Sequence, residues 1–218
     1  MSGPVPHPLQ PQVDRLVELG YPALAGLDET AFRARLAPLL ALELPQSAGV
    51  PADPLEAGRV PYVVVVDRTL VAPEQTVPLL RLPGSSRPGT VDRHHPQGGL
   101  EAYLPLSELD VPAGGSYLLV DVDRGEKFCG VAPEQALGVI REGGRTPLTI
   151  EEGIAVLTQA PYLLERNKCF SLAGSRRGDR RVPGLWISDR APKLGWCWDG
   201  NPHDWLGVAS AGARLSAP

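Results

Sequence analysis

The C-terminal quarter of the chain, residues 166–214, reads RNKCFSLAGSRRGDRRVPGLWISDRAPKLGWCWDGNPHDWLGVASAGAR. Its apolar residues recur with a period of two in four short segments, CFSLAG, GLWIS, KLGWCW and WLGVASA. That period is typical of β-strands, and connections as short as DRAP favour antiparallel neighbours. The stretch therefore predicts an antiparallel β-meander over residues 166–212.

The same stretch has an unusual composition. All four tryptophans fall within twenty residues, 186–205, and eight Lys or Arg against two Asp lie between positions 166 and 193. Within KLGWCW, alternation places Leu194, Trp196 and Trp198 on one face of the strand and Gly195 and Cys197 on the other. The sequence thus predicts a sheet with one very aromatic face beside a basic segment.

Two strand–helix units precede the meander. The apolar runs VPYVVVVD (60–67) and SYLLVDVD (116–123) predict strands, and each is followed by the pentapeptide VAPEQ, at 71–75 and 131–135. VAPEQ suits a helix start, since proline tolerates the first helical position and glutamate favours the first turn. Further on, Thr149 and Glu152 have the spacing of a capping box.

The chain as a whole is predicted to be an α+β protein with one compact domain. Asp28 is expected to cap a second N-terminal helix, after a first one over residues 10–19. The predicted parts are a disordered tail (1–9), a helical N-terminal part (10–58, ending in a linker), strand–helix repeats (60–160) and the meander (166–212), with the domain spanning 10–212.

Composition excludes some classes of protein. With a net charge of −4 over 218 residues, the surface as a whole is not expected to coat nucleic acid or membrane. No apolar run approaches the length that crosses a bilayer, and three irregularly spaced cysteines do not form a disulfide framework. We therefore expect a soluble cytoplasmic protein with reduced thiols.

The basic and aromatic residues of the meander are the candidate ligand site. Arginine binds carboxylate or phosphate through a bidentate fork, and tryptophan offers a flat apolar surface for stacking. We therefore predict a pocket for an anionic, partly planar small molecule. The residues expected to bind it are Arg166, Asn167, Arg176, Arg177, Lys193, Trp196, Trp198 and Asn201.

The candidate catalytic residues are His203, Cys197 and Cys169. If their strands are neighbours, these three side chains form either a Cys₂His zinc site with an open position or a Cys–His nucleophile pair. The alternative is that the thiols are buried core groups, as is Cys129. The pair His94–His95 is expected to be a solvated loop feature.

The segments RTPLTIEEG, LERNKCF, GSRR, LWIS and PKLGWCWDGNPHDWLG carry a resemblance. At this spacing, over roughly residues 10–212, the chain resembles an uncharacterised actinobacterial family of domains of unknown function. The resemblance implies a soluble bacterial protein of about this size, and it implies no activity, cofactor or catalytic residue.

Three functions remain open from the sequence. The first is small-molecule binding at the C-terminal site, with or without catalysis in a specialised pathway. The second is a non-catalytic regulatory protein whose basic segment, Arg176 to Arg181, binds an acidic partner or single-stranded nucleic acid. The third is a homo-oligomer that uses the Trp-rich face as its interface.

Overall fold

The computed structural model describes residues 7–45, 58–92, 94–95 and 98–217. It confirms the α+β class, with helices and mixed sheets packed together. The described helices are α1 (Gln10–Glu18), α2 (Tyr21–Leu24), α3 (Glu29–Leu36), α4 (Pro73–Thr76), α5 (Pro133–Glu142) and α6 (Ile150–Gln159). The described strands are β1 (Arg59–Val66), β2 (Thr90–Val91), β3 (Leu104–Pro105), β4 (Ser116–Asp123), β5 (Thr146–Pro147), β6 (Cys169–Ser171), β7 (Ser175–Arg176), β8 (Arg181–Ser188), β9 (Ala191–Trp198), β10 (Leu206–Val208), β11 (Ser210–Ala211) and β12 (Ala213–Leu215).

The N-terminal helices form where the sequence predicts them. The Asp28 carboxylate accepts a hydrogen bond of 2.7 Å from the backbone N–H of Ala31 and so caps α3. Residues 1–6 of the predicted tail and residues 46–57 of the predicted linker lie outside the described residues. Leu9 is fully buried in the apolar cluster formed by the N-terminal helices, so packing against the core begins by that residue.

The first sheet has the order β1-β4-β11-β5, with β12 also paired to β4, and its described pairs are antiparallel. Both of its faces are covered, which explains the uninterrupted apolar run of β1. Because side chains alternate along a strand, Val63 and Val65 belong to the main core, whereas Val64 and Val66 pack with the N-terminal helices.

The pairing of the C-terminal chain with β4 is interrupted between β11 and β12. Asp121 of β4 has a φ of +52°, and the backbone N–H of Gly212 is 2.9 Å from the carbonyl of Val120 and 3.1 Å from that of Asp121. The Asp121 carboxylate pairs with both Arg59 and Arg145. The Asp121 side chain therefore links β4 to β1 and, through Arg145, which also donates a hydrogen bond of 3.0 Å to the Ser210 hydroxyl, to β11.

The two VAPEQ copies start helices of different length. In both, the alanine before the proline is extended and the proline opens the helix. The first copy gives only the single turn of α4, since Pro78 follows in a 3₁₀ turn, whereas the second gives the ten residues of α5. The preceding strands, β1 and β4, are direct antiparallel neighbours.

Helix α6 is the centre of the fold and is buried along almost its whole length. It contacts β1 of the first sheet and β8 of the second. The predicted capping box is confirmed, because Thr149 and Glu152 each accept a hydrogen bond from the other's backbone N–H. The fully buried Glu152 carboxylate also pairs with Arg214 of β12 and accepts a bond from the hydroxyl of Tyr117.

The second sheet has the order β10-β6-β8-β9-β2. Strands β6, β8 and β9 are antiparallel neighbours, as the meander predicts. The prediction was wrong for the last strand, because β10 passes β8 and β9 and pairs in parallel with β6. β11 and β12 then leave this sheet for the first one, so the C-terminal chain joins both sheets.

Candidate functional site

The β8–β9 hairpin fixes which tryptophans can meet. Its loop has only two residues, Asp189 and Arg190, both with positive φ, which is the loop geometry that follows the twist of a hairpin. The resulting register sets Trp186 opposite Lys193, and Trp196 and Trp198 opposite Pro183 and Arg181. Since cross-strand partners share a face, Trp186 lies on the other face of the sheet from Trp196 and Trp198.

An open cleft of about 300 Å³ lies where β6 begins and β8 ends, and we call it the aromatic cleft. Its walls include Trp186 and Trp205, whose rings meet edge to face with centroids 6.2 Å apart. The backbone carbonyl of Trp205 accepts a hydrogen bond of 3.1 Å from the N–H of Cys169, and this bond fixes Trp205 beside β6. The residues that line the cleft are Arg166, Asn167, Cys169, Trp186, Ile187 and Trp205.

Arg166 and Asn167 form the tip of a tight turn at the rim of this cleft. The turn is closed by a hydrogen bond of 3.1 Å from the Lys168 N–H to the Glu165 carbonyl, and Asn167 has a φ of +64°. The buried Arg124 binds the Glu165 carboxylate at 2.6 Å and anchors the turn. Arg166 itself is exposed and has no carboxylate partner among the described residues.

The thiol of Cys169 belongs to the cleft wall but is 5% exposed. Burial raises its pKa, and the Sγ lies 3.5 Å from the Glu165 carbonyl. A raised pKa keeps the group a neutral thiol at pH 7, which is the unreactive form. The geometry therefore makes Cys169 a polar part of the wall rather than an activated nucleophile.

His203 lies next to the cleft and stacks on Trp205, with ring centroids 5.2 Å apart. Its backbone carbonyl accepts hydrogen bonds from Gly130 at 2.8 Å and Leu206 at 3.3 Å, which fixes the loop that carries Trp205. In the part of the chain that the structure describes, its ring has no hydrogen bond to either Cys169 or Cys197.

Cys197 lies elsewhere, on β9, where it is buried and its Sγ is 3.8 Å from the Ser171 hydroxyl. Burial also raises the pKa of this thiol. The zinc arrangement considered for Cys169, Cys197 and His203 does not form, and no group of three or more His, Cys, Asp or Glu among the described residues could hold a metal ion. Cys129, expected in the core, is half-buried.

The basic segment is largely neutralised by ion pairs. Arg176 is 3.1 Å from Asp199, Arg180 is 3.1 Å from Glu134, and Arg177 and Arg181 are 3.2 and 2.6 Å from Asp179. Lys193 lies 3.6 Å from Asp92. Through these ion pairs the cations hold loops together. This segment therefore lacks the unpaired basic surface that nucleic-acid binding needs.

Trp196 and Trp198 stack with Arg181 rather than joining the aromatic cleft. The Arg181 guanidinium lies 4.5 and 4.9 Å from the two ring centroids. Trp198 is 46% exposed and borders a second open cleft of about 320 Å³. That cleft is lined by Arg180, Trp198, Gly200 and Asn201.

The predicted ligand residues are thus divided among different places. Arg166 and Asn167 line the aromatic cleft together with Cys169. Trp198 and Asn201 line the second cleft. The other predicted cations, Arg176, Arg177 and Lys193, are in ion pairs. Neither Trp186 nor Trp205 is among the ligand residues predicted from the sequence. The available signal was their position in the same twenty-residue window.

The histidine pair 94–95 is only partly a solvated feature. His94 is exposed and its Nδ1 lies 3.0 Å from the Asp92 carboxylate. His95 is half-buried and meets the ring of Tyr103 edge to face, with centroids 5.6 Å apart. Burial lowers the pKa of His95 and raises that of Tyr103 to about 12.

The fold and the site define an α+β protein with an open aromatic cleft whose rim carries the exposed guanidinium of Arg166. Comparison with protein-family models matches residues 15–217 to DUF5701, a family of unknown function, and the chain belongs to that family. Neither the curated proteins nor the solved structures gave a match. Among the described residues, the helices are too short or too polar to span a membrane.

Proposed function

We propose that this protein binds an anionic, partly planar small molecule in the aromatic cleft. The observation that carries the proposal is the position of Arg166, a cation without a carboxylate partner among the described residues, beside the rings of Trp186 and Trp205. Planar apolar walls with a few polar groups are typical of small-molecule sites.

Each group of the cleft has a part in this binding. The Arg166 guanidinium pairs with the ligand's anionic group, and the Asn167 amide supplies a second polar contact at the same rim. The indoles of Trp186 and Trp205 cover the planar part of the ligand. Cys169, with its raised pKa, contributes a neutral surface, so the proposal is for binding and includes no covalent step.

We place this activity in the cytoplasm of an actinobacterium. The free state of all three cysteines supports a reducing compartment, and the resemblance of the C-terminal motifs supports the source. A homo-oligomer formed through the exposed Trp198 face stays a prediction.

The test is calorimetric titration with a planar anion, 2-naphthoate, and its neutral analogue, 2-naphthamide. Wild-type protein is expected to prefer the anion. Arg166→Gln is expected to weaken naphthoate binding by about ten- to a hundredfold, the value of a charge-assisted hydrogen bond, and to leave naphthamide binding unchanged.

Arg180→Gln is the matched control, because Arg180 is exposed and borders the other cleft. It is expected to bind naphthoate like the wild type. Equal affinity of the wild type and Arg166→Gln for naphthoate would contradict the proposal, and native mass spectrometry of the purified protein would show any co-purified ligand.

A further inference from the structure

We propose a second binding site, for a phosphate group, between the loop of residues 81–88 and the tip of the β8–β9 hairpin. An open cleft of about 390 Å³ lies there, and we call it the arginine cleft. It shares no lining residue with the aromatic cleft. Its lining residues are Leu82, Pro83, Gly84, Ser85, Ser86, Arg87 and Arg190.

The loop is fixed at its neck. The backbone N–H of Gly89 donates a hydrogen bond of 2.9 Å to the Leu80 carbonyl, and a side chain at Gly89 would collide with the carbonyl of Val77. Immediately afterwards β2 pairs with β9, which ties the loop to the hairpin strand. A loop held in this way loses little freedom when a ligand binds.

Two further bonds hold the loop against the hairpin tip. The Ser85 hydroxyl donates to the Arg190 carbonyl at 2.8 Å, and Arg87 donates to the Asp189 carbonyl at 3.0 Å. These carbonyls belong to the two tip residues, which have φ values of +52° and +61°. The two-residue hairpin loop requires this conformation, so both carbonyls are fixed in place.

The cations of this corner differ from those of the basic segment. Among the described residues, Arg87 and Arg190 have no carboxylate partner, and Arg87 bonds only a carbonyl. Arg81, at the start of the loop, likewise donates only to the carbonyls of Pro78 and Leu80. The one carboxylate beside them in the chain, that of Asp189, is exposed to solvent. On a chain with a net charge of −4, this corner is a local excess of positive charge.

The chemistry of the lining selects the ligand. Two guanidinium forks suit an oxyanion of charge −2, and the exposed hydroxyl of Ser86 adds a donor. No aromatic ring lines the cleft, so nothing there favours a planar ligand. A phosphate group fits this set, either as free phosphate or as the phosphomonoester of a small metabolite.

The experiment is a titration of the full chain with inorganic phosphate and with glycerol 3-phosphate, at constant ionic strength set by chloride. Binding to the wild type is expected to saturate with at least one of them. The probe with the higher affinity shows whether the ligand is free phosphate or a phosphomonoester. Arg190→Gln and Arg87→Gln are each expected to weaken binding by about tenfold or more. The affinity for glycerol 3-phosphate is expected to fall below about pH 6, where this phosphomonoester dianion takes up a proton.

Arg180→Gln is the control, since it removes one exposed arginine outside the arginine cleft. It is expected to bind phosphate like the wild type. A wild type that does not saturate, or a control that loses affinity as much as Arg190→Gln, would overturn the proposal. Because the exposed Arg190 side chain makes no hydrogen bond or ion pair among the described residues, and Ser85 bonds only its backbone carbonyl, the Arg190 variant is expected to fold and melt like the wild type. The result is independent of naphthoate binding in the aromatic cleft.

Discussion

The indole of Trp186 lies directly over Gly195 of the neighbouring strand. A Cβ built at position 195 would be 2.6 Å from Cζ2 of the ring and closer still to Cη2, so only glycine leaves room for it. Gly195→Ala is therefore expected to displace the indole from the wall of the aromatic cleft. The cost of such overpacking is about 1–3 kcal/mol of unfolding free energy, and naphthoate affinity is expected to fall with it.

Gly184→Ala is the matched control for this substitution. Gly184 is the cross-strand partner of Gly195, and its nearest neighbour would be 3.4 Å from an added Cβ, which is close to ordinary contact. Calorimetric titration and urea unfolding of both variants check the prediction. If Gly195→Ala binds naphthoate as tightly as Gly184→Ala does, Trp186 is not part of the ligand site.

Local patterns explain why much of the fold could be predicted. The β-branched run of β1, the capping box of Thr149 and Glu152, and the proline that opens α4 and α5 all act over a few residues. Their physical causes are local sterics and hydrogen bonds, so the sequence displays them directly.

The site could not be predicted to the same extent, because it depends on register and on distant pairing. The hairpin loop is Asp189–Arg190, which lacks the Asn-Gly or Asp-Gly signal of a two-residue loop. Without that register, the face of Trp186 relative to Trp196 is undetermined. The parallel pairing of β10 with β6, which brings Trp205 to Trp186, joins residues 37 positions apart in the chain and has no local signal.

The buried pair of Glu152 and Arg214 is expected to dominate the stability of the C-terminal attachment. Glu152→Gln keeps the shape of the side chain but leaves the 5% exposed arginine without its counter-charge. Breaking a buried pair in this way costs about 3–5 kcal/mol. Urea unfolding measures the loss as a lower midpoint at an unchanged slope.

Glu142→Gln is the control for that measurement, since Glu142 is an exposed glutamate at the end of α5. Its effect is expected to stay within about 0.5 kcal/mol. The double variant Glu152→Gln/Arg214→Gln is expected to lose less than the sum of the two single variants, because the groups interact directly. Additive losses would show that the two side chains act independently.

The lowered pKa of Asp121 predicts that the free energy of unfolding decreases at acid pH. Burial opposes ionisation of its carboxyl, but hydrogen bonds and charge from Arg145 and Arg59 outweigh this and lower its pKa below 3.8. A lowered folded-state pKa adds stability that is present above the unfolded value and lost as the pH falls through the folded one. Asp121→Asn is expected to cost about 1–3 kcal/mol at pH 7, with the difference from wild type shrinking below pH 3.8.

Asparagine is the appropriate substitution because it also tolerates the positive φ of position 121. The measurement is urea unfolding of both proteins between pH 7 and pH 3. A difference between them that stays constant down to pH 3 would mean that the Asp121 charge does not stabilise its contacts with Arg59 and Arg145.

The three thiols are expected to react with N-ethylmaleimide in two groups. Burial raises the pKa of all three, and labelling needs the thiolate, so each rate should keep rising with pH beyond 9.0. Cys129 is half-buried, whereas Cys169 and Cys197 are 5% and 9% exposed. In the native protein at pH 7, Cys129 should therefore be labelled fastest. The labelling rates of Cys169 and Cys197 should be lower by on the order of tenfold, because these thiols become accessible only when the structure opens locally.

Mass spectrometry of quenched samples counts the labels and locates them. Cys129→Ser is expected to remove the faster phase and leave the slower one, and denaturant should bring both remaining thiols to the same fast rate. Because Cys169 lines the aromatic cleft, saturating naphthoate should slow its labelling further without affecting Cys129. Fast labelling of Cys169 in the native protein would contradict its placement as a buried, neutral thiol in the cleft wall.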